Sequence, residues 1–289
     1  MGKPLVVGVD GSEQSLRAVD WAADEADRHG LPLRLVYASL WEHYEAGTYA
    51  YGPATASERK LADAILAAAD ERAQSRKPGV KTTAAVLPQE PTDALLNESD
   101  RASMIVVGSR GRGDIKGMLL GSVGLGVAAW ARCPVIVVRG DRTAVDSKHE
   151  RILLGAGNPE GSFPTVDFAF REAEARGSLL DVVRAWREPA PGMRVLTPAD
   201  DFEAAPDRRA TADLDAALRD AGKAHPDVQV RSAAVEGRTH KVLVDRSQAA
   251  DLLIVGARRN NGLGLQLGRT CHAALHHAAC PVAVVPHAR

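Results

Sequence analysis

The chain has 289 residues, enough for two ordinary domains, and its 45% hydrophobic and 25% charged residues are typical of a globular protein. A formal net charge of -1 and 4% aromatic residues argue against a nucleic-acid partner, which needs a basic surface and stacking rings. The three cysteines form no Cys-x-x-Cys pair, and no apolar run is long enough to span a bilayer. We therefore expect a cytoplasmic protein with no membrane partner.

Strands and helices are predicted to alternate through the first half of the chain. Short, continuous apolar runs are typical of parallel strands that are buried on both faces. Segments with apolar residues at helical spacing separate these runs. The predicted strands are 5–9, 33–38, 81–87, 104–107 and 134–138, and the predicted helices are 15–29, 57–76, 92–102 and 123–130. This alternation predicts βαβ units and a parallel sheet.

The second half repeats the first half at a constant offset. Gly30 and Cys133 each recur 147 positions later, as Gly177 and Cys280. A constant offset near both ends of the pattern indicates a tandem duplication of one domain. We place the N-terminal domain at 1–143 and the C-terminal domain at 150–289, joined by a polar, charged segment.

A glycine-rich basic loop follows the fourth predicted strand. Its pattern is Gly108-x2-Gly111-x9-Gly121-Ser122, and the predicted helix 123–130 comes directly after it. Glycine lets a backbone approach a ligand closely, and a helix N-terminus offers unpaired N–H groups that suit an anion. The order of strand, loop and helix therefore predicts a phosphate-binding loop. A flexible connector is the alternative.

Three features make the chain resemble the universal stress protein family. They are the glycine pattern with its serine, which matches the family's ATP-binding signature, Asp10 at the end of the first strand, and the closing Cys-Pro-Val-x-Val-Val strand. The resemblance covers the whole chain as two tandem copies. It implies an α/β fold of two doubly wound domains, each a mainly parallel five-stranded sheet of order 3-2-1-4-5 with helices on both faces. In such sheets ligands bind at the carboxyl ends of the strands, where the strand order reverses.

The resemblance implies an ATP site between Asp10 and the glycine loop. Asp10 would accept hydrogen bonds from the ribose. Adenine would lie near Tyr37 and Ala38 at the end of the second strand and contact main-chain groups there. The loop and the following helix would donate N–H groups to the phosphates, and a bridging Mg²⁺ ion is compatible with such a site. The predicted contacts are Asp10, Tyr37, Ala38, Val107, Gly108, Arg110, Gly111, Gly121, Ser122, Val123 and Gly124. Arg112 and Lys116 are either further phosphate contacts or solvated surface.

The second copy departs from the family's signature. The changed pairs are Asp10 to Gly157, Gly111 to Arg259 or Asn260, and Ser122 to Arg269. Loss of the ribose acceptor, a loop glycine and the hydroxyl predicts that this half does not bind ATP in the family's way. It would then serve as a structural partner of the first half. Alternatively, Arg258, Arg259 and Arg269 hold some other anion.

The sequence predicts a non-enzymatic protein that binds ATP in its N-terminal half and acts as a nucleotide-dependent regulator in a stress response. A slow ATPase is one alternative, but no motif places a general base near the loop. A nucleotide-free scaffold for protein–protein contacts is the other alternative.

The last predicted strand of each half, at 134–138 and 281–285, would lie at the edge of its sheet. Edge strands expose unpaired backbone groups, and strands of this kind mediate dimers in the family. We therefore expect the two halves to pair within one chain, and a further homodimer is compatible with the sequence.

His272 and His276 have the helical spacing of metal ligands, but the first half has apolar residues there, so a surface or packing role is expected.

Overall fold

The computed structural model describes residues 2–40, 53–111, 120–158, 162–187, 206–257 and 267–287, and elements are numbered in chain order through these ranges. The strands are β1 (Leu5–Gly8), β2 (Leu33–Ala38), β3 (Thr82–Leu87), β4 (Met104–Gly108), β5 (Val135–Val138), β6 (Arg151–Gly155), β7 (Leu179–Trp186), β8 (Val230–Glu236), β9 (Leu252–Ala257) and β10 (Val282–Pro286). The α-helices are α1 (Glu13–His29), α2 (Pro53–Arg76), α3 (Pro91–Glu98), α4 (Ser122–Trp130), α5 (Arg142–Val145), α6 (Phe163–Arg176), α7 (Pro206–Ala224), α8 (Thr239–Arg246) and α9 (Arg269–His277).

The helices differ from the sequence prediction at several boundaries, for example at Glu13 and Pro53, where α1 and α2 begin earlier than predicted, and one helix was not predicted. Helix α3 ends before the predicted residue 102, because the Ser99 hydroxyl donates to the carbonyl of Leu96 at 2.6 Å and caps the helix there. The short helix α5 lies in the polar join, where no helix was predicted. Its start is capped by Asp141, whose carboxylate accepts from the N–H of Ala144 at 2.9 Å.

The ten described strands form one sheet of order β3-β2-β1-β4-β5-β10-β9-β6-β7-β8. The order within the first half confirms the predicted 3-2-1-4-5 arrangement, and the second half repeats it in reverse. Neighbouring strands are parallel except at the centre, where β5 and β10 pair antiparallel with Ile136 opposite Ala283. The strands that would be edges of two separate sheets are therefore joined inside one continuous sheet.

Side chains of the sheet form one apolar cluster on each face. On β1, Val7 belongs to one cluster and Val6 to the other, and Ala283 and Val282 divide in the same way on β10. Each cluster therefore contains residues of both halves, and the two apolar layers continue across the β5–β10 pair. Burial on both faces explains why the strands are continuous apolar runs rather than alternating ones.

A buried group of charged side chains joins helices α1 and α6 beside the central strands. This junction cluster consists of Glu25, Arg28, His29, Glu172 and Arg176. Arg176 donates to Glu25 at 2.7 Å and also to Glu172, while the His29 Nε2 atom lies 3.1 Å from Glu25 and 3.2 Å from Glu172. Glu25 and Glu172 are equivalent in the repeat, and so are His29 and Arg176. The two halves thus place the same positions in one cluster but supply different cations.

The junction cluster shifts the pKa values of its members. Burial opposes ionisation of Glu25, but Arg176, His29 and Arg28 outweigh it and lower the pKa of this carboxyl below its usual range. Burial raises the pKa of Glu172, and the adjacent charge of Glu25 raises it further. Hydrogen bonds to Glu172 and Glu25 raise the pKa of His29 to about 9. At neutral pH the His29 ring is therefore a cation that bridges the two halves.

Candidate functional site

A cavity of about 550 Å³ opens in the first half of the chain, and we call it the N-terminal cavity. It lies at the carboxyl ends of β1 and β4, the two neighbours at which the strand order reverses. Its volume is in the range that holds a small organic ligand. The predicted contacts that line it are Asp10, Ala38, Val107, Gly108, Arg110, Gly111, Gly121, Ser122, Val123 and Gly124.

Asp10 lies on one wall of the N-terminal cavity and is held by the start of α1. Its Oδ1 atom accepts from the backbone N–H of Ser12 at 2.9 Å and from the Ser12 hydroxyl at 2.6 Å. That hydroxyl in turn accepts from the N–H of Ser15 at 3.2 Å and caps the helix. A Cβ atom at Gly111 would overlap the Asp10 Oδ2 atom. The structure therefore brings Asp10 and the glycine loop together, and it leaves no room for a side chain between them.

The glycines at the two ends of the loop serve different purposes. A Cβ at Gly108 would lie 2.8 Å from backbone atoms of Gln14, so glycine lets β4 end against the first turn of α1. This packing requirement is additional to the room for a nucleotide that the resemblance implies. A Cβ at Gly121 would approach no atom closer than 3.7 Å, and its φ of -76° suits any residue. No contact among the described residues therefore requires glycine at position 121. A glycine there leaves the backbone open to close approach by a ligand.

The N-terminus of α4 forms the opposite wall of the N-terminal cavity. The N–H of Gly121 donates to the carbonyl of Ser109 at 2.8 Å and closes the loop on itself. The next three N–H groups, of Ser122, Val123 and Gly124, are in the first turn of the helix, where no intrahelical acceptor exists. This first turn carries no acidic residue, so the positive end of the helix dipole faces the cavity, and Asp10 on the other wall is the one carboxylate of the described lining. The wall is suited to bind an anion.

Apolar side chains line another part of the N-terminal cavity. Val36 and Ala38 of β2 and Leu95 of α3 lie there, and they form a surface suited to a flat apolar ring. The side chain of Tyr37 packs against the apolar cluster on the opposite face of the sheet, so the predicted contact of Tyr37 with adenine concerns its main chain and stays a prediction. The reason is that successive side chains of a strand point to opposite faces. The two-residue period therefore places the side chains of Val36 and Ala38 at the cavity and that of Tyr37 on the other face of the sheet.

Several lining residues were missed by sequence reasoning: Gly8, Val9, Ser15, Val36, Pro91, Leu95 and Leu120. The two-residue period of β2 could have identified Val36 from Ala38. The positions on α3 carry no local signal, because they reach the cavity only when that helix packs on the sheet. Arg112 and Lys116, the further candidates for phosphate contacts, lie outside the described residues.

The second half contains an equivalent cavity of about 500 Å³, which we call the C-terminal cavity. Gly157 and Arg269, which replace Asp10 and Ser122, both line it. Arg258 and Arg259 lie outside the described residues. The cavity thus persists in the second half although its lining has changed.

The remaining residues of interest in the sequence are two histidines at helical spacing and two buried cysteines. The rings of His272 and His276 stack with centroids 4.4 Å apart, and burial together with neighbouring positive groups lowers the pKa of His276. Cys133 and Cys280 are buried, and burial raises the pKa of each thiol to about 12. Among the described helices, none combines the length and apolarity that crossing a bilayer would need.

The fold and the cavities define a class of protein: a tandem, doubly wound α/β protein with a cavity at the switch point of each half. The family model for the universal stress protein family matches residues 1–139 and 148–286. Universal stress protein Rv2005c of Mycobacterium tuberculosis is 34% identical over 98% of this chain and 99% of its own length. A universal stress protein of Mycolicibacterium smegmatis is 29% identical over 97% of this chain and 96% of its own length. The chain therefore belongs to the universal stress protein family, and it carries two copies of the family's domain.

The same fold occurs in a solved structure. The crystal structure of a universal stress protein from Archaeoglobus fulgidus superimposes with a TM-score of 0.72 at 19% sequence identity, covering 100% of both chains. At this identity the likeness concerns the fold alone, and it extends over both halves of the chain.

Proposed function

We propose that the N-terminal half binds ATP and that the protein is a non-enzymatic, nucleotide-dependent regulator in a stress response. One observation carries the proposal: Asp10, the loop glycine Gly111 and the N-terminus of α4 converge on a single cavity that also has an apolar part. A nucleotide needs these three elements together, namely an acceptor for ribose, donors for phosphate and an apolar surface for the base.

We assign each part of the nucleotide to its own lining residues. Adenine is placed against Val36 and Ala38, and the ribose hydroxyls donate to Asp10. The phosphates accept from the first N–H groups of α4 and face the positive charge of Arg110. Asp10 is the one carboxylate among the described lining residues, so a Mg²⁺ ion would be held mainly by phosphates and water.

The described lining supports binding rather than catalysis. It contains no histidine, cysteine or lysine that could act as a general base, and Asp10 is engaged by Ser12. Helix α1 offers a route for regulation, because it begins beside Asp10 and ends with Glu25 and His29 in the junction cluster. A nucleotide that favours one position of α1 would thereby favour one arrangement of the two halves.

We propose that the two halves function as one unit in the cytoplasm, where the three cysteines stay reduced. Strands β5 and β10 already pair with each other, so a homodimer would have to use another surface of the chain. Light scattering on the intact protein, with and without ATP, measures whether such a homodimer forms.

Titration calorimetry of the intact chain with ATP tests the proposal. We expect one ATP per chain, and we expect Asp10→Ala and Gly111→Ala to weaken binding at least about tenfold, since each removes or displaces the ribose acceptor. Gly268→Ala in the C-terminal half is the matched control, because a Cβ there contacts nothing within 4 Å. No heat of binding, or equal affinity in all variants, would reject the site.

Two further measurements separate the alternatives. Phosphate release that requires Mg²⁺ and is lost in Ser122→Ala would identify a slow ATPase. Absence of any nucleotide by mass spectrometry of the purified protein, together with no heat of binding, would favour a scaffold that uses no nucleotide.

A further inference from the structure

The C-terminal cavity differs from the N-terminal cavity in the part where a base would bind. Val36 and Ala38 of β2 line the first cavity, whereas no described residue of the equivalent strand β7 lines the second. Arg184, which replaces Tyr37, donates instead to the carbonyl of Gly157 and to the Asn158 side chain at 3.3 Å. Gly157, which replaces Asp10, offers only its backbone carbonyl, and that carbonyl already accepts from Arg184. Ala185, the equivalent of Ala38, lines a neighbouring cavity instead. The described lining of the C-terminal cavity therefore lacks both the apolar residues of the second strand and a carboxylate, the groups that would hold a purine and a ribose.

The part of the cavity that suits an anion is kept, and it gains a positive charge. Gly268 is the N-cap of α9, which has 9 residues, and the first turn carries no acidic residue. The N–H groups of Arg269, Thr270 and Cys271 have no intrahelical acceptors there. Arg269 brings a guanidinium group to the position of Ser122, and no carboxylate is present among the described lining residues. The electrostatic environment therefore favours an anion more strongly than in the first half.

A second, independent feature points to a ligand. The Thr165 side chain lines the C-terminal cavity and is only 3% exposed, yet its Oγ1 atom has no hydrogen-bond partner among the described residues. The equivalent residue in the first half is Ala18, so this hydroxyl is specific to the second half. A Cβ at Gly256 would overlap the His287 Nε2 atom and would lie 2.8 Å from Thr165 Oγ1, so both polar groups converge on that glycine. An unpaired buried hydroxyl is unfavourable, and a bound ligand with hydrogen-bonding oxygens would satisfy it.

We propose that the C-terminal cavity binds a compact oxyanion of the phosphate class that carries no purine. The oxyanion accepts from the first N–H groups of α9 and from Arg269, and a ligand atom pairs with the Thr165 hydroxyl. Inorganic phosphate and a small phosphorylated metabolite share this chemistry. The proposal does not depend on ATP binding in the first half, because the two cavities use separate helices.

Amide signals of the ¹⁵N-labelled intact chain resolve the two cavities in one titration. With inorganic phosphate we expect saturable shifts at Arg269, Thr270 and Cys271, whereas the amides of Ser122 to Gly124 report the first cavity separately. A second titration uses glycerol 3-phosphate, a small phosphorylated metabolite. Its affinity at the same three amides, compared with that of inorganic phosphate, shows which of these two ligands the cavity prefers. Adenosine monophosphate should bind there no more tightly than phosphate does. Binding that is tighter with the purine would overturn the proposal, as would the absence of saturable shifts at these amides.

Two substitutions and one control test the assigned groups. Arg269→Gln should weaken phosphate binding at these amides about tenfold, because it removes a charge-assisted hydrogen bond. Thr165→Val has nearly the same volume and should weaken binding about threefold or more, because it removes the paired hydroxyl. Arg231→Gln removes the same charge from an exposed position on β8 and should change nothing. Equal affinity in all three variants, or equal weakening, would show an adventitious ion only.

Discussion

The N-terminal and C-terminal cavities show which parts of a ligand site come from the fold and which come from a few side chains. Both lie at the carboxyl ends of equivalent strands, and their volumes are about 550 and 500 Å³. Both have a glycine at the N-cap of the helix that follows the loop. Asp10 and Ser122 of one half are replaced by Gly157 and Arg269 in the other. Topology therefore supplies the cavity and the helix N-terminus, and side chains decide what binds.

Both halves also contain an ion pair at equivalent positions, but the acidic and basic partners are exchanged. Arg34 donates to Glu98 at 2.9 Å in the first half, and at the equivalent positions Asp181 accepts from Arg246 at 3.1 Å. Each pair joins the second strand of its half to the helix that follows the third strand. An ion pair of either polarity satisfies this site, because the attraction does not depend on which partner carries which sign.

The largest expected effect concerns the cluster where the halves meet. Arg176→Met should lower the free energy of unfolding by about 3–5 kcal/mol, because it leaves the buried carboxylates of Glu25 and Glu172 without their buried cation. Arg171→Met on the same helix breaks an exposed ion pair with Asp167 and should change the free energy of unfolding by less than about 1 kcal/mol. Urea unfolding of both variants measures the difference. Similar losses would mean that the cluster does not hold the halves together.

Alanine substitutions at the two equivalent strand-end glycines should lower the stability of the protein to different extents. Gly108→Ala should destabilise the protein by about 2 kcal/mol, because the new Cβ meets the rigid backbone of Gln14. Gly256→Ala meets the side chains of His287 and Thr165, which can shift, so its effect should be below about 1 kcal/mol. The midpoints of urea unfolding compare the two variants directly. An equal or reversed order would contradict the packing reason given for Gly108.

His29 should make the stability depend on pH on the alkaline side. Its pKa rises on folding from 6.5 to about 9, so its stabilisation is complete below pH 6.5 and is lost as the pH rises through 9. Because the ring is partly exposed, we expect a loss of about 1–2 kcal/mol rather than the full value of the shift. Urea unfolding between pH 6 and pH 10 should show this loss in the natural protein. His29→Gln should flatten the curve over that range, and an unchanged slope would exclude His29 as its source.

Inverting the ion pair of the first half should have the smallest effect. Arg34→Asp alone places two carboxylates together and should lower stability by about 1 kcal/mol. Adding Glu98→Arg recreates the polarity already found at Asp181 and Arg246 and should restore most of that loss. Thermal unfolding of the single and double variants measures the coupling. A double variant as unstable as the single one would show that the two sites are not interchangeable.

Local signals in the sequence were sufficient to predict much of the fold and most of the N-terminal cavity. Apolar runs separated by amphipathic segments predicted the βαβ order, and the glycine pattern predicted both ends of the loop. The two-residue period of a strand also indicates Val36 as a neighbour of Ala38 on the cavity's face, but the prediction named only the main chain near Tyr37 and Ala38. Leu95 and Pro91 had no such signal, because their place at the cavity depends on how α3 packs.

The sequence by itself determined the duplication, the strand order through its family likeness, and the unequal chemistry of the two halves, since all of these are properties of residue order and spacing. The tertiary structure alone decided which side chains meet across long separations. It brought Glu25, His29, Glu172 and Arg176 into one buried cluster. It also placed the Thr165 hydroxyl in the C-terminal cavity, where no described residue pairs with it. The physical reason is that burial and pairing are set by the packing of whole helices on a sheet, which no local pattern encodes.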